Sequence, residues 1–484
     1  MKSSFYITTT IPYVNADPHI GFALELVQSD VIARFKRLQG REVFFSTGTD
    51  EHGQKIWEAS QKEGKKVEDY VNHYAQKFLE LKNLLNLSSD NFIRTTSEGH
   101  IKAAQAFWQL CDQKGDIYKK KYKGLYCVGC EKFITEKDLM DGKCTLHPNL
   151  KPETVEEENY FFKLSNYKKQ LLDYFSNPKT IIPDWRRQEA IDFVTNAMED
   201  FSISRSQERF AWGISVPADE SQVMYVWFDA LTNYISTLGW PFDSAQGKPE
   251  ENLFEKFWLE GEKVQTAGKD MVKFQSVMWQ GMLMSAGFPT TDTIVYHGFI
   301  TSEGGIKMSK SLGNVINPIE IVKEYGTDAL RYFLLREISS FEDSSFTIER
   351  FKDAYNAGLA NGLGNLVSRI LTMAENNLEV PVQITDSELE KKFTEYIENY
   401  DLQKASEFIW MQIGLIDLEI QEKQPFKLIK TEPEKAKQMI KRLVQELYKI
   451  TSHLEPLLPE TAERIKKLIK ENKKPAQPLF LRKD

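Results

Sequence analysis

The sequence predicts an α/β fold: a doubly wound parallel sheet, interrupted once by an inserted domain and followed by an all-α C-terminal bundle. Three observations predict it. Strand-like and helix-like stretches alternate over roughly the first 115 residues. The alternation breaks near residue 116 and resumes near residue 226. From about residue 350 the chain is almost wholly helical, with few glycines after Gly364.

The elements follow in order. "SFYITTTI" is a β-branched strand, after which Ile20, Leu24, Val27, Val31, Phe35 and Leu38 recur at helical spacing until Gly40 stops the helix. "EVFFSTGTD" is a second strand, with a helix from about residue 53. "NFIRTT" is a third, with "IKAAQAFWQLCDQKG" as its helix. Residues 116–225 hold short strand-like pieces, a cysteine cluster and the acidic "ETVEEENYFF", and read as an insertion. "MYVWFDALTNY", "VQTAGKD" and "TIVYHGFIT" resume the sheet, and "FDSAQGKPE" (242–250) has the composition of an exposed loop. The expected domains are therefore 1–115 and 226–325 for the two halves of the α/β body, 116–225 for the insertion, 326–350 for a stem and 351–484 for the helical domain.

Bulk properties narrow the class. A chain of 484 residues exceeds one ordinary core, and 41% hydrophobic with 27% charged residues describes a globular protein. No run approaches the 18 apolar residues of a membrane span. The N-terminus enters a strand directly, without a signal-peptide core. Four cysteines, three of them clustered, point to a reducing, cytoplasmic location and a metal site rather than disulfides. The net charge is −8, but residues 391–484 carry 19 Lys+Arg against 15 Asp+Glu, a net of +4. A polyanion is better sought there, although a solvated helical surface carries the same charge.

Three motifs carry chemistry. In "DPHIGF", Asp17 is expected to cap a helix, Pro18 to occupy its first position and His19 its first turn, where unpaired amides and the helix dipole favour phosphate. Cys127, Cys130, Cys144 and His147 form C-x2-C-x13-C-x2-H, the spacing of a closed, tetrahedral, structural Zn2+ site, one per chain. Cys111 stands apart and reads as a core thiol. In "GGIKMSKSLGN" (304–314), Lys307 and Lys310 can neutralise a triphosphate while the glycines permit closure over it. For two lysines alone, a basic surface loop would be the better reading.

Together, "PHIGF" and "KMSKS" resemble the two signatures of class I aminoacyl-tRNA synthetases. "IPYVNADPHIG", "TGTDEHG", "GLYCVGCEKF", "SISR", "YVWFDALTNY", "GKD", "HGFIT", "NLVSR" and "LLPETAERI" are similar, in order, to the bacterial methionyl-specific branch. The resemblance implies a Rossmann-like catalytic domain that joins L-methionine to ATP, releasing pyrophosphate. It then passes methionyl to the 3′-terminal ribose of tRNA(Met), initiator tRNA included. Mg2+ would accompany ATP. The nucleophile is the substrate's own carboxylate, so positioning and charge stabilisation, rather than an activating base, carry the catalysis.

Matched position by position, the resemblance implies His19, Lys307 and Lys310 as catalytic groups. It implies His19, Gly21, Phe22, Gly268, Asp270, Ile300 and Lys310 around ATP, with Asp270 on the ribose. Asp50 would pair with the α-ammonium of methionine, and Ile11, Tyr13, Trp227, Ala230, Tyr234, Met271 and Gln275 would surround the amino acid. Asn365, Arg369, Pro425 and Phe426 would read the anticodon, Phe426 by stacking. Three departures stand out: Phe22 replaces the second histidine of the first signature, Gln275 replaces a pocket histidine, and Phe426 replaces a tryptophan. The chain ends soon after the bundle, so a monomer without membrane contact is expected. The competing readings are a synthetase for leucine, valine or cysteine, a small HxGH nucleotidylyltransferase, and a catalytically decayed RNA-binding paralogue.

Overall fold

A computed structural model describes residues 3–127, 132–134, 139–145, 149, 151–208, 212–241, 252–305, 308, 316–384 and 388–483. The chain divides into two compact units: residues 1–18, 39–82 and 88–296, and residues 19–38, 83–87 and 297–484.

The first unit is built on a six-stranded sheet. Its strands are β1 (Ser4–Thr8), β2 (Glu42–Thr49), β3 (Asn91–Arg94), β4 (Ile181–Ile182), β5 (Glu262–Gly268) and β6 (Thr293–His297), in the spatial order β3-β2-β1-β5-β6-β4. β1 pairs in parallel with both β2 and β5, β2 with β3, and β6 with β4. β1 is buried along its whole length, as expected of a parallel strand covered on both faces. One glycine here is sterically required. At Gly48, opposite Ile93, an added Cβ would lie 2.0 Å from the Ile93 carbonyl oxygen.

β4 lies within the stretch read as an insertion, so residues 116–225 do not form one separate body. What stands apart is an antiparallel sheet in which Ile117–Cys127 pairs with Glu153–Phe162 over ten positions. Its lysines face its glutamates: Lys121 is opposite Glu158, Lys123 is opposite Glu156 at 3.3 Å, and Lys119 lies 3.9 Å from Glu158. The acidic run therefore has a cross-strand partner for its charge. Large aromatic residues run through the core of the first unit, among them Phe107, Phe228, Trp258 and Trp279, all fully buried.

The second unit contains α1 (Ile20–Leu38) and the C-terminal helices: α2 (Thr327–Arg336), α3 (Asn365–Asn377), α4 (Leu402–Lys423), α5 (Pro433–Leu454) and α6 (Pro459–Glu471). Its centre holds a fully buried cation. The Arg331 guanidinium pairs with Asp30 of α1 at 2.8 Å and donates to the carbonyls of Leu85 (3.0 Å), Pro456 (3.1 Å) and Leu457 (2.7 Å). Gly358, in the helical stretch preceding α3, admits the Tyr332 ring of α2; a Cβ there would meet the Tyr332 hydroxyl at 1.9 Å. Among the described residues no helix is long and apolar enough to cross a membrane.

Candidate functional site

The start of α1 differs from the sequence expectation. The helix begins at Ile20, so Pro18 lies outside it and Asp17 does not cap it; the Asp17 carboxylate pairs with Lys77 at 2.6 Å instead. His19 takes the cap position. Its Nδ1 accepts from the Gly21 amide at 3.1 Å, and its carbonyl accepts from the Phe22 and Ala23 amides. The Ile20 amide donates to the Ile316 carbonyl at 3.2 Å. All four leading amides thus have protein acceptors, and the expected bare anion nest is absent.

A different donor results at this helix start. An Nδ1 that accepts must carry no proton, so the neutral ring of exposed His19 bears its hydrogen on Nε2 as a donor. The helix dipole still favours an anion at this end. Phe22 is only 7% exposed, within the buried face of α1. One turn on, Glu25 meets His297 Nε2 at 2.9 Å, a buried pair that sequence reasoning missed although "HGFIT" marked it. Ile300 is buried in a two-residue strand paired with Ser344–Ser345. Lys307 and Lys310 lie outside the described residues. Gly304 and Gly305 before them adopt left-handed φ of 74° and 76°, and Ile316 just after them anchors the start of α1. Ile316, two residues beyond the lysine motif (304–314), is therefore tied to the helix of the other signature.

The first unit gathers the residues expected around methionine. β2 delivers Asp50 at its C-terminal end, where the Asp50 amide donates to the Pro12 carbonyl (2.9 Å) and its carbonyl accepts from the Val14 amide (3.2 Å). This isolated parallel bridge sets Tyr13 beside Asp50. Trp227, on the helix Val226–Leu231, packs edge-on against Tyr13 at 6.4 Å and stacks on Phe274 at 3.9 Å and 15°. Ala230 and Tyr234 are buried, and Ile11 and Met271 are half-buried. Among the described residues, wholly buried Gln275 finds no hydrogen-bond partner for either side-chain amide atom, and the Trp227 indole N–H finds none either. Polar atoms left so are costly in a resting protein, and a polar ligand would relieve them. At the end of β5, Gly268 is buried and Asp270 is exposed in the turn that follows.

Behind Asp50 lies a network that the sequence reading did not find. Asp229, on the helix between Trp227 and Ala230, accepts from His52 Nδ1 and from His100 Nε2, each at 2.7 Å, and His100 Nδ1 meets the Ser236 hydroxyl at 2.8 Å. Burial would push the Asp229 carboxyl up, but the two imidazoles more than offset it and hold it at about 2. Its folded value lies below the ordinary 3.8. The network's contribution is therefore complete above that value and is lost as pH falls toward 2. Between pH 5 and pH 2.5, urea unfolding of the wild type should lose about 2 kcal/mol more stability than Asp229→Asn. Equal losses would show that Asp229 is not the titrating group.

Two expected zinc ligands come together. Cys127, ending its strand, and Cys144, in a hairpin with Leu139–Met140, share one buried cluster with Ile134. Cys130 and His147 lie outside the described residues, and among the described residues no three ligating side chains converge. Cys111 is buried as expected, its thiol pushed up to about 12 by desolvation. In the second unit, Asn365 opens α3 and is exposed, while Arg369 on the same helix pairs with Asp417 of α4. Pro425 is buried at the first position of a short helix, and Phe426 beside it is 45% exposed.

The family model for class I tRNA synthetases of the methionine type, described as "tRNA synthetases class I (M)", matches residues 5–146 and 134–371. The methionine–tRNA ligase of Fusobacterium nucleatum is 38% identical over 96% of this chain and 74% of its own length. That of Rhizobium meliloti is 40% identical over 96% of this chain and 92% of its own. Among solved structures, Mycobacterium tuberculosis methionyl-tRNA synthetase in complex with methionyl-adenylate superposes with a TM-score of 0.89 at 36% identity. That match covers 97% of this chain and 94% of the other. A cysteine pair in the inserted stretch, an α1 start bonded to Ile316 and a carboxylate at the end of β2 thus occur in a chain similar throughout to such ligases. The chain belongs to the methionine–tRNA ligases of the class I tRNA synthetases.

Proposed function

We propose that this chain activates L-methionine with ATP and transfers the methionyl group to the 3′-terminal ribose of tRNA(Met), initiator tRNA included. The observation that carries the reading is buried Asp50 at the end of β2, held beside Tyr13 and an aromatic wall that suits a thioether. Asp50 pairs with the α-ammonium, and Ile11, Tyr13, Trp227, Ala230, Tyr234, Met271 and Gln275 surround the side chain. His19 donates from Nε2 to a phosphate oxygen, Gly21 keeps the α1 start slim for adenine, and Asp270 next to Gly268 accepts from ribose hydroxyls. Ile300 and the small exposed part of Phe22 complete the adenosine contacts. Lys310, with Lys307, meets the charge that grows on pyrophosphate as it leaves. Mg2+, bound with ATP, supplies further charge neutralisation on the phosphates.

An ATP–pyrophosphate exchange assay across the standard amino acids tests this directly: methionine alone should support efficient exchange. Equal exchange with leucine or cysteine would defeat the assignment, and none with any amino acid would favour the decayed paralogue. Lys310→Ala should slow adenylate formation by about 10²–10³-fold while methionine binding holds, because the cation acts mainly on the transition state. An unchanged activation rate with weakened tRNA binding would reassign the loop.

The buried Cys127–Cys144 cluster supports the structural zinc reading, with Cys130 and His147 as the other ligands. Elemental analysis should give one zinc per chain, and Cys144→Ser should lower metal content and thermal stability together. Full activity in a zinc-free preparation would exclude it. In the bundle, half-exposed Phe426 stacks on an unpaired base, with Pro425 setting its place and Asn365 and Arg369 supplying polar contacts. The enzyme acts as a cytoplasmic monomer in this reading.

A further inference from the structure

We propose that Asp229 is a positioning residue for methionine recognition: by holding His52 and His100 on its two carboxylate oxygens, it fixes the turn that presents Asp50. The inference rests on the assignment of Asp50 to the α-ammonium group.

Three consecutive residues leave β2 with three different duties. Asp50 is tied by its backbone to Pro12 and Val14. Glu51 turns away and is gripped by Arg94 through Nε at 2.7 Å and Nη2 at 2.9 Å, and by the Thr49 hydroxyl at 2.7 Å. His52 turns to the opposite partner, and its backbone amide points back at Asp50 Oδ1, 3.4 Å away. The direction of Asp50 is therefore set from both sides of the following peptide. Glu51 alone would anchor only one of them.

Asp229 suits this duty because its two oxygens are divided. Each accepts one N–H at 2.7 Å, from residues 177 and 129 positions away in sequence, and all three side chains are withdrawn from solvent. A carboxylate accepts on both oxygens, whereas a carboxamide accepts on one and donates on the other. In Asp229→Asn, one imidazole N–H would face an amide N–H. The same helix carries Trp227 and Ala230, so the clamp also registers the thioether wall against the ammonium partner. A small loss of register should be felt in binding that depends on direction, which a charge-assisted pair does.

The test compares methionine with 4-(methylthio)butanoate, which keeps the thioether and carboxylate but lacks the ammonium group. Binding of the latter is read as inhibition of exchange. In Asp229→Asn the KM for methionine should rise about tenfold or more, with kcat within about threefold and the KM for ATP unchanged. The inhibition constant of the des-amino analogue should stay within about twofold, because that ligand makes no use of Asp50. Loss of general support would weaken both ligands alike, and that result would overturn the proposal, as would no change in either. Asp50→Asn separates the two claims. If wild type does not prefer methionine over the analogue, the Asp50 assignment fails. If Asp50→Asn abolishes a preference that Asp229→Asn retains, only the positioning role fails. Should Asp229→Asn not fold, His52→Asn, which keeps an N–H for Asp229, should bind methionine nearly as wild type, and His52→Phe should show the selective loss. Equal behaviour of these two variants would also overturn it.

Discussion

Arg331→Met is expected to destabilise the C-terminal unit by roughly 3–5 kcal/mol, with a thermal midpoint lowered by about 10 °C. The guanidinium is fully buried and serves four partners from three other stretches of chain: Asp30, Leu85, and the Pro456–Leu457 turn between α5 and α6. Methionine matches much of its volume but none of its donors. Arg34 would still hold Asp30, through an Nε contact of 2.7 Å, so the carboxylate is not wholly abandoned. Most of the cost then falls on three buried carbonyls left without a donor, at about 1–3 kcal/mol each before relaxation or water entry. Arg331→Lys should recover only part of the loss, since an ammonium cannot reach four acceptors in the plane of a fork. A melt of Arg331→Met within 2 °C of wild type would mean that water replaces the guanidinium without cost.

Asp50→Asn should lower kcat/KM for methionine by about 10²–10³-fold, corresponding to the roughly 2–5 kcal/mol lost when one partner of a buried charge pair is removed. The substitution keeps the shape of a side chain that is nearly inaccessible, and the backbone bridge to Tyr13 does not depend on it. The loss should therefore appear in catalysis of methionine activation and not in the melting curve. Steady-state exchange with methionine and ATP varied in turn would show it, with the KM for ATP little changed. A fall of less than about threefold would move the ammonium partner elsewhere.

The β1–α1–β2 stretch was legible because period and composition agree there: β-branched residues in the strands, and apolar residues at helical spacing between them. The same rules misplaced the start of α1 by two residues. Asp-Pro reads as a cap and first position, but a histidine can cap through its own ring, and Asp17 had a lysine within reach. Ile181–Ile182 was invisible for another reason. Two residues carry no period, and only the edge of β6 makes them a strand. The acidic run in the insertion looked like a feature in itself until the lysines opposite it were seen. The residues expected around methionine came from resemblance rather than from pattern, since Trp227 and Tyr234 taken alone read as core. The Asp229 network had no local signal at all, because its members meet only when β2, the helix after β3 and the Val226–Leu231 helix have folded together.

The ion pair between Arg369 and Asp417 has a consequence for how salt should act on RNA binding. A lysine or arginine that neutralises a phosphate from open solvent displaces condensed counterions, and each such contact steepens the dependence of affinity on salt. Arg369 already has its counterion, in covalent form, on α4. In the anticodon-reading role proposed above, it would exchange one carboxylate for the RNA and free Asp417 to attract a cation, so the net ion release from that contact would be close to nil. Arg369→Ala should accordingly weaken RNA binding with almost no change in the slope against salt, whereas Asp417→Asn should make that slope steeper by about one ion.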